Sequence, residues 1–381
     1  MVASISQYIL AVEHIDVMTR TLCSRHITPL RNKFTGKINC SVGNAVIVFE
    51  VMCDGRRMAL RVYMHPHHNL RVIYGDDYYP KELLVSTSTT EYGLVDVVLC
   101  EWCDGVSLQS KIEESYASPV KMRALSQIFE RFAVSLLAEE WAHGDLKPTN
   151  IIYSEGELRL IDFDAMWREG FSANECVEVG TRQFQHPTRD ESNFCRDIDD
   201  YPVALIATAL AAMSWDSTLG RGLSESDYLL ICPALAVEDR EEMLERIERL
   251  FAENGDVRHY RIAKLLRSQH LSLPQLKGLL EMLPIPATPK ELSLEYHNGY
   301  WGYVANGRFA IPPLYDLAFD FSEGLALVLV GDVWHFIDAS GAVVITCGRG
   351  TGIRPFRNGT THIVREDGEY EIRRDGSEVR V

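Results

Sequence analysis

Four polar residues stand close together in the chain. Asp145, Lys147 and Asn150 lie in the run His143-Gly144-Asp145-Leu146-Lys147-Pro148-Thr149-Asn150, and Asp162 follows 12 positions later in Leu160-Ile161-Asp162-Phe163-Asp164. An acid can orient an attacking hydroxyl, a lysine can neutralise a transferred phosphoryl group, and an amide with a second acid can hold a divalent cation. Such chemistry asks for positioning and electrostatics more than for covalent work. The residues need rigid support, and two apolar runs supply it: Asn150-Ile151-Ile152-Tyr153 and Leu158-Arg159-Leu160-Ile161. The stretch reads as loop, strand, turn and strand, ending on a carboxylate.

The flanking elements follow from hydrophobic periodicity. Met122, Leu125, Ile128, Phe129, Phe132, Ala133, Leu136 and Leu137 share one face of a helix predicted over 119–141, which delivers the chain to His143. Upstream, a helix is expected over 5–22. Strands are expected over 44–52, 57–63 and 95–102, the first two joined by a hairpin turn at Asp54-Gly55. Residues 65–94 give no clear pattern. His65, His67 and His68 lack a Cys or carboxylate at ligand spacing, so they read as a polar loop. Cys100 and Cys103 form a C-x-x-C without a partner motif and read as thiols at the end of a strand. Downstream, 165–197 has loop composition, and Tyr201–Met213 is apolar on nearly all sides, as a central core helix would be. Further helices are expected at 224–236, 239–252, 257–268 and 273–283. Pro284-Ile285-Pro286-Ala287-Thr288-Pro289 reads as a linker, with short strands and turns after it.

The chain has 381 residues and a net charge of -16. That charge argues against non-specific binding to nucleic acid or to an anionic membrane, but not against a nucleotide held by local cations and a metal. No apolar run reaches the length of a membrane span, and the N-terminus lacks the features of a signal peptide. Nine cysteines without framework spacing suit reduced thiols in a cytoplasmic protein.

The His143–Asn150 run followed by Asp162-Phe163 resembles the catalytic and metal-binding loops of protein kinases, H-R-D-x-x-x-x-N and D-F-G. Gly180-Thr181-x-x-Phe184-x-x-Pro187 is similar to the G-T-x-x-Y-x-x-P segment closing that family's activation loop, and Asp199-Asp200-Tyr201 resembles the start of its central helix. The resemblance implies a bilobal α+β fold with a β-rich N-lobe over about 1–103 and a helical C-lobe over about 104–283. It implies ATP and Mg²⁺ as ligands. Asp145 would accept or orient the proton of the attacking hydroxyl, Lys147 would be a phosphoryl contact, and Asn150 and Asp162 the metal ligands. Thr181 would bridge Asp145 and Lys147, while His143 and Asp199 support the loop. Gly43, Val48, Ala59, Arg61, Glu101 and Cys103 would join Asp162 in the nucleotide cradle.

The N-terminal half departs from that pattern. Of the Gly-rich loop only Gly43 remains in Ser41–Phe49. In Met58-Ala59-Leu60-Arg61, arginine stands where the family has its ATP-anchoring lysine, which is not a conservative exchange. Lys37 is the nearest substitute. No helix with a clear partner glutamate follows Arg61, and Glu82 is the candidate at hand. Asp164 occupies the family's glycine position, and Gly144 replaces its arginine, as in small-molecule kinases resembling aminoglycoside phosphotransferases. Three readings follow: an ATP/Mg-dependent phosphotransferase, foremost a Ser/Thr protein kinase; a pseudokinase scaffold; and a small-molecule kinase, against which the Gly180–Pro187 segment counts.

After a Pro-rich linker at 284–294, residues 295–381 contain a repeat. Trp301 and Trp334 are 33 positions apart, Trp334 and Tyr370 are 36, and Phe321 and Phe356 are 35. With Gly299–Gly307, Ile311-Pro312-Pro313-Leu314-Tyr315-Asp316 and Phe321–Val328, the pattern resembles the bacterial WG (Trp-Gly) repeat family. Each copy should be a hairpin with a buried aromatic, stacked on its neighbours, with a truncated third copy as cap. Such a module implies either a surface that recruits a protein partner or a packing annex of the kinase-like part.

Overall fold

The computed structural model describes residues 3–88, 91–222, 229–231, 237–282 and 291–381. The chain forms an N-terminal curled β-sheet lobe, a helical lobe, and a C-terminal β-rich region. Of the expected helix 224–236 only Leu229, Leu230 and Ile231 are described, buried and not helical, and the linker core Pro284–Pro289 lies outside the described residues.

The first sheet is antiparallel, in the order Ile27–Pro29, Val46–Cys53, Arg56–Tyr63, Tyr92–Glu101, Tyr78–Ser86, with Cys40–Val42 also on Val46–Cys53. Asp54 and Gly55 both take positive φ, which suits the tight turn between the second and third of these strands. Alternation divides the strands between two faces. Ile47, Phe49, Leu60, Val62, Val97 and Leu99 pack under the first helix with Tyr8 and Val12. Val46, Tyr63, Leu70 and Val98 lie on the other face.

The leading helix runs Ile5–Glu13 and not to residue 22. His14 leaves helical geometry (φ -112, ψ 37) so that a short turn, Ile15–Met18, can bring Thr19 beside Leu83. Within the unreadable stretch 65–94, the described residues include a helix, Leu70–Tyr74, the strand Tyr78–Ser86 and the start of the strand Tyr92–Glu101.

In the helical lobe, Ser118 caps the helix Pro119–Leu136 by accepting from the Lys121 N–H. This helix stops short of the expected 141, and Arg196 donates to the carbonyls of Leu137 and Glu139 just past its end. It packs on Asp200–Trp215, which is buried on almost every side. Val237–Glu253, Val257–Leu265 and Leu276–Glu281 complete the lobe. Three small antiparallel sheets form the C-terminal region. The core of the helical lobe runs without interruption into Tyr303, Ile311, Tyr315, Val328, Val330 and Ile337, whereas Leu327, Phe336, Phe356, Ile363 and Ile372 form a separate cluster. No helix among the described residues is long and apolar enough to cross a membrane.

Candidate functional site

Two hairpin-like pairings hold the polar loop. Trp141–Ala142 pairs with Trp167–Arg168, and Ile151–Ser154 pairs with Glu157–Leu160. Between them the chain turns at Gly144, where φ is +82 and a Cβ would sit 2.0 Å from the Ala165 carbonyl oxygen. Only glycine fits this crossing of two backbones. Asp199, buried at the start of the long core helix, accepts from the N–H groups of His143 and Gly144. Burial pushes its carboxyl up, and those donors work against that shift. The His143 ring spans the loop, with Nε2 2.9 Å from the Ile161 carbonyl and Nδ1 accepting from the Asp145 N–H at 3.3 Å.

Asp145, Lys147, Asn150 and Thr181 form one cluster. The Thr181 N–H donates to Asp145 Oδ1 at 2.5 Å. Lys147 Nζ lies 3.0 Å from Asp145 Oδ2 and donates to Thr181 Oγ1 at 2.7 Å. Asn150 Nδ2 donates to the Asp145 carbonyl at 2.9 Å and to Asp145 Oδ2 at 3.1 Å. Burial raises the Asp145 carboxyl, but Lys147 and the Thr181 N–H outweigh it and hold the group below its ordinary value. Asp145 is therefore an ionised carboxylate beside an ammonium. Such a pair can accept a proton from a hydroxyl and screen an incoming anion.

Asp162 follows Ile161, whose N–H donates to the Asn150 carbonyl at 3.0 Å, and takes left-handed geometry (φ 68, ψ 66), a conformation that non-glycine residues adopt at a cost of order 1–3 kcal/mol. Its Oδ1 accepts from Arg61, and Oδ2 takes no hydrogen bond among the described residues. Both donor contacts of Asn150 go to Asp145, leaving its Oδ1 as an acceptor. An amide oxygen and a carboxylate oxygen are the donor types a hard cation such as Mg²⁺ accepts, with waters and substrate oxygens filling its shell. Among the described residues no group of three or more His, Cys, Asp or Glu is arranged to hold a metal by protein ligands alone.

On the facing sheet, register places Val48 opposite Arg61 and Ala59 opposite Cys100, on the face turned toward Asp162. Gly43 sits in the turn between paired strands, its N–H donating to the Val46 carbonyl at 2.9 Å. Glu101 pairs with Met58, one residue out of step with Ala59, so its side chain points to the other face. Cys103 is half-buried, and burial pushes its thiol up.

Several contacts of the site escaped the sequence. Arg61 Nη2 lies 2.6 Å from both Asp162 Oδ1 and Asp164 Oδ2. Asp164 Oδ1 accepts from Tyr63 at 2.9 Å and Tyr74 at 2.7 Å. Glu82 is not the partner of Arg61: it is buried where it accepts from the N–H groups of Thr21 and Leu22. Lys37 is exposed. His67 contacts the Asp164 carbonyl instead of making a histidine cluster. Glu178 stands near Asp145, Asp162 and Asp164; burial and those three charges push its carboxyl up to about 7. Its surface is exposed, so the crowding of like charges is the cause that carries weight. Arg189 and Gln185 both donate to the Gly144 carbonyl, at 2.8 and 3.4 Å, and so brace the loop from the segment after Thr181. The unpaired acid at position 164 was a signal for Arg61; nothing in the sequence pointed to Tyr74 or Arg189.

The family described as WG containing repeat matches residues 301–334. Those residues span five strand segments, from Tyr300–Ala305 to Val333–Ile337. Tyr303 and Phe336, each two positions after a tryptophan, are fully buried, as are Tyr315 and Phe356. The Tyr303 ring lies 5.0 Å from that of Phe321, and Phe336 lies 4.2 Å from Phe356. No curated protein matches the chain.

Proposed function

We propose that this chain is an ATP- and Mg²⁺-dependent phosphotransferase of the Ser/Thr protein kinase type, acting on a protein hydroxyl. The observation that carries the reading is the cluster of Asp145, Lys147, Asn150 and Thr181, to which the bond from the Ile161 N–H to the Asn150 carbonyl brings back the chain just before Asp162. Asp145 takes the acceptor's proton as its oxygen bonds the γ-phosphorus; the bond to the bridging oxygen breaks, and ADP leaves with that electron pair. Lys147 screens the charge of the transferred group. Asn150 and Asp162 would hold Mg²⁺, which neutralises phosphate charge when bound. Residues 1–283 would form the catalytic part, with Gly43, Val48, Ala59, Arg61, Glu101 and Cys103 along the nucleotide and the last two contributing backbone. Residues 295–381 would brace it and offer a surface to a protein partner in the cytoplasm. The test is transfer of the ATP γ-phosphoryl group to the chain itself or to a generic protein acceptor, with Asp145→Ala as control. Loss of transfer in the variant is expected, and equal labelling of both proteins defeats the reading.

A second reading, a pseudokinase scaffold, is favoured by one contact: Arg61 already occupies an oxygen of Asp162. The two readings separate in a thermal melt. A ligand that binds only the folded state raises the midpoint, so an unchanged melt at millimolar Mg-ATP selects the scaffold.

A further inference from the structure

Arg61 is almost wholly buried, and its charge is met by two carboxylates at once. Burial opposes its charged form, but Tyr74, Asp164, Tyr63 and Asp162 around it keep the guanidinium firmly protonated. Nη2 is shared between Asp162 and Asp164, and Nε reaches the Tyr63 hydroxyl at 3.2 Å. The second oxygen of Asp164 is taken by two phenols, and its carbonyl lies 2.9 Å from His67 Nε2. Burial and the neighbouring Asp164 push both phenols up, so they remain neutral donors. The helix that follows the Arg61 strand is only Leu70–Tyr74, and what it contributes is the Tyr74 hydroxyl, not a carboxylate.

We propose that Asp164 is the positioning partner of Arg61. With Tyr63 and Tyr74 it fixes the guanidinium so that Arg61 seats the anionic oxygens of a nucleoside triphosphate without any carboxylate from a helix. The inference rests on the ATP-binding reading above. Charge explains why a second acid is needed. Arg61 paired with Asp162 alone would leave a neutral pair, with little negative charge for a cation. With Asp164 present, the trio keeps one negative charge in excess, so Asp162 remains a ligand while Arg61 remains satisfied. The sharing also ties the sheet to the loop directly. The position of Arg61 is set by residues two apart on the same 3₁₀ turn, not by the swing of a separate helix.

The test uses the full chain and Mg-ATP. Melting shifts over a range of Mg-ATP concentrations give Kd, and basal ATP hydrolysis gives KM and kcat. Asp164→Asn should fold, raise Kd and KM for Mg-ATP by about tenfold or more, and lower kcat less. Asp164→Glu should restore most of the loss, as a purely steric role would not allow. Tyr74→Phe, which keeps the ring and removes one donor, should raise KM by about threefold and serves if Asp164→Asn fails to fold. An Asp164→Asn protein with wild-type Kd and KM overturns the inference, as does a fall confined to kcat. Wild-type protein that binds no Mg-ATP overturns both this inference and the function beneath it; wild-type binding with an indifferent Asp164→Asn overturns only this one.

Discussion

Replacing His259 with Gln should destabilise the helical lobe in a way that pH reveals. His259 is buried between two acids, Nδ1 2.8 Å from Asp256 and Nε2 2.9 Å from Glu130. Arg258 and Ser126 complete Glu130, and Trp215 completes Asp256. Burial works against the charged imidazole, but Asp256 and Glu130 overcome it and carry its pKa from 6.5 up to about 9. A group whose folded pKa is raised gives stability that is complete below its unfolded pKa and fades as pH rises through the folded one. At about 1.4 kcal/mol per pH unit, the interval from 6.5 to about 9 amounts to about 3 kcal/mol. Asp256, held down at about 2, and Glu130, also lowered, lose their contributions only in acid, so this window belongs to His259. Urea unfolding of wild type and His259→Gln at pH 6 and pH 9.5 is the assay. The variant should be weaker by about 3–5 kcal/mol at pH 6, because two buried acids lose their shared cation. The gap should narrow by about 3 kcal/mol at pH 9.5. The same gap at both values would refute the reasoning.

The remaining predictions concern the loop, its acids and the junction. Gly144→Ala forces a Cβ against the Ala165 carbonyl at positive φ; a loss of about 3 kcal/mol or more in chemical unfolding is expected, and an unchanged midpoint would show that the two backbones can part. Glu178 holds its proton more tightly in the folded chain between 4.5 and about 7, so wild-type stability should fall as pH rises through that window. Glu178→Gln should lack this component, gaining on wild type at pH 8 relative to pH 5 in parallel thermal melts. Arg261 is buried, donates to the Leu314 carbonyl at 2.7 Å and lies 3.6 Å from the Tyr300 ring centre. Arg261→Ala should cost about 2–4 kcal/mol and make the C-terminal region the first to be cut in limited proteolysis; simultaneous loss of both parts would count against a local junction.

The polar loop was legible because its partners are near neighbours in the chain. Asp145, Lys147 and Asn150 lie on one turn, and the strand pair Ile151–Leu160 returns Asp162 to them, so sequence spacing translates into distance. The core helix was legible for a related reason, since an apolar run with no polar face has no surface to show. Legibility failed where the answer depended on distant pairing. Arg61 and Asp164 are 103 positions apart, and Tyr74 sits in a stretch without periodicity. Glu82 looked available because burial at a 3₁₀ turn leaves no mark in sequence. The leading helix was read too long because its apolar spacing continues past His14, while the backbone bends there to bring Thr19 to the sheet.

The helix Val257–Leu265 faces two ways: His259 is fastened inward to the helical lobe, and Tyr260 and Arg261 are fastened outward to the repeat region. That arrangement bears on synthesis. A chain leaving the ribosome exposes the helical lobe before residues 300–337 exist to cover it, so its outer face stays wet until the first repeat arrives. A message cut short after the lobe would yield a sticky fragment, not a smaller working protein. The repeat therefore closes the fold in time as well as in space.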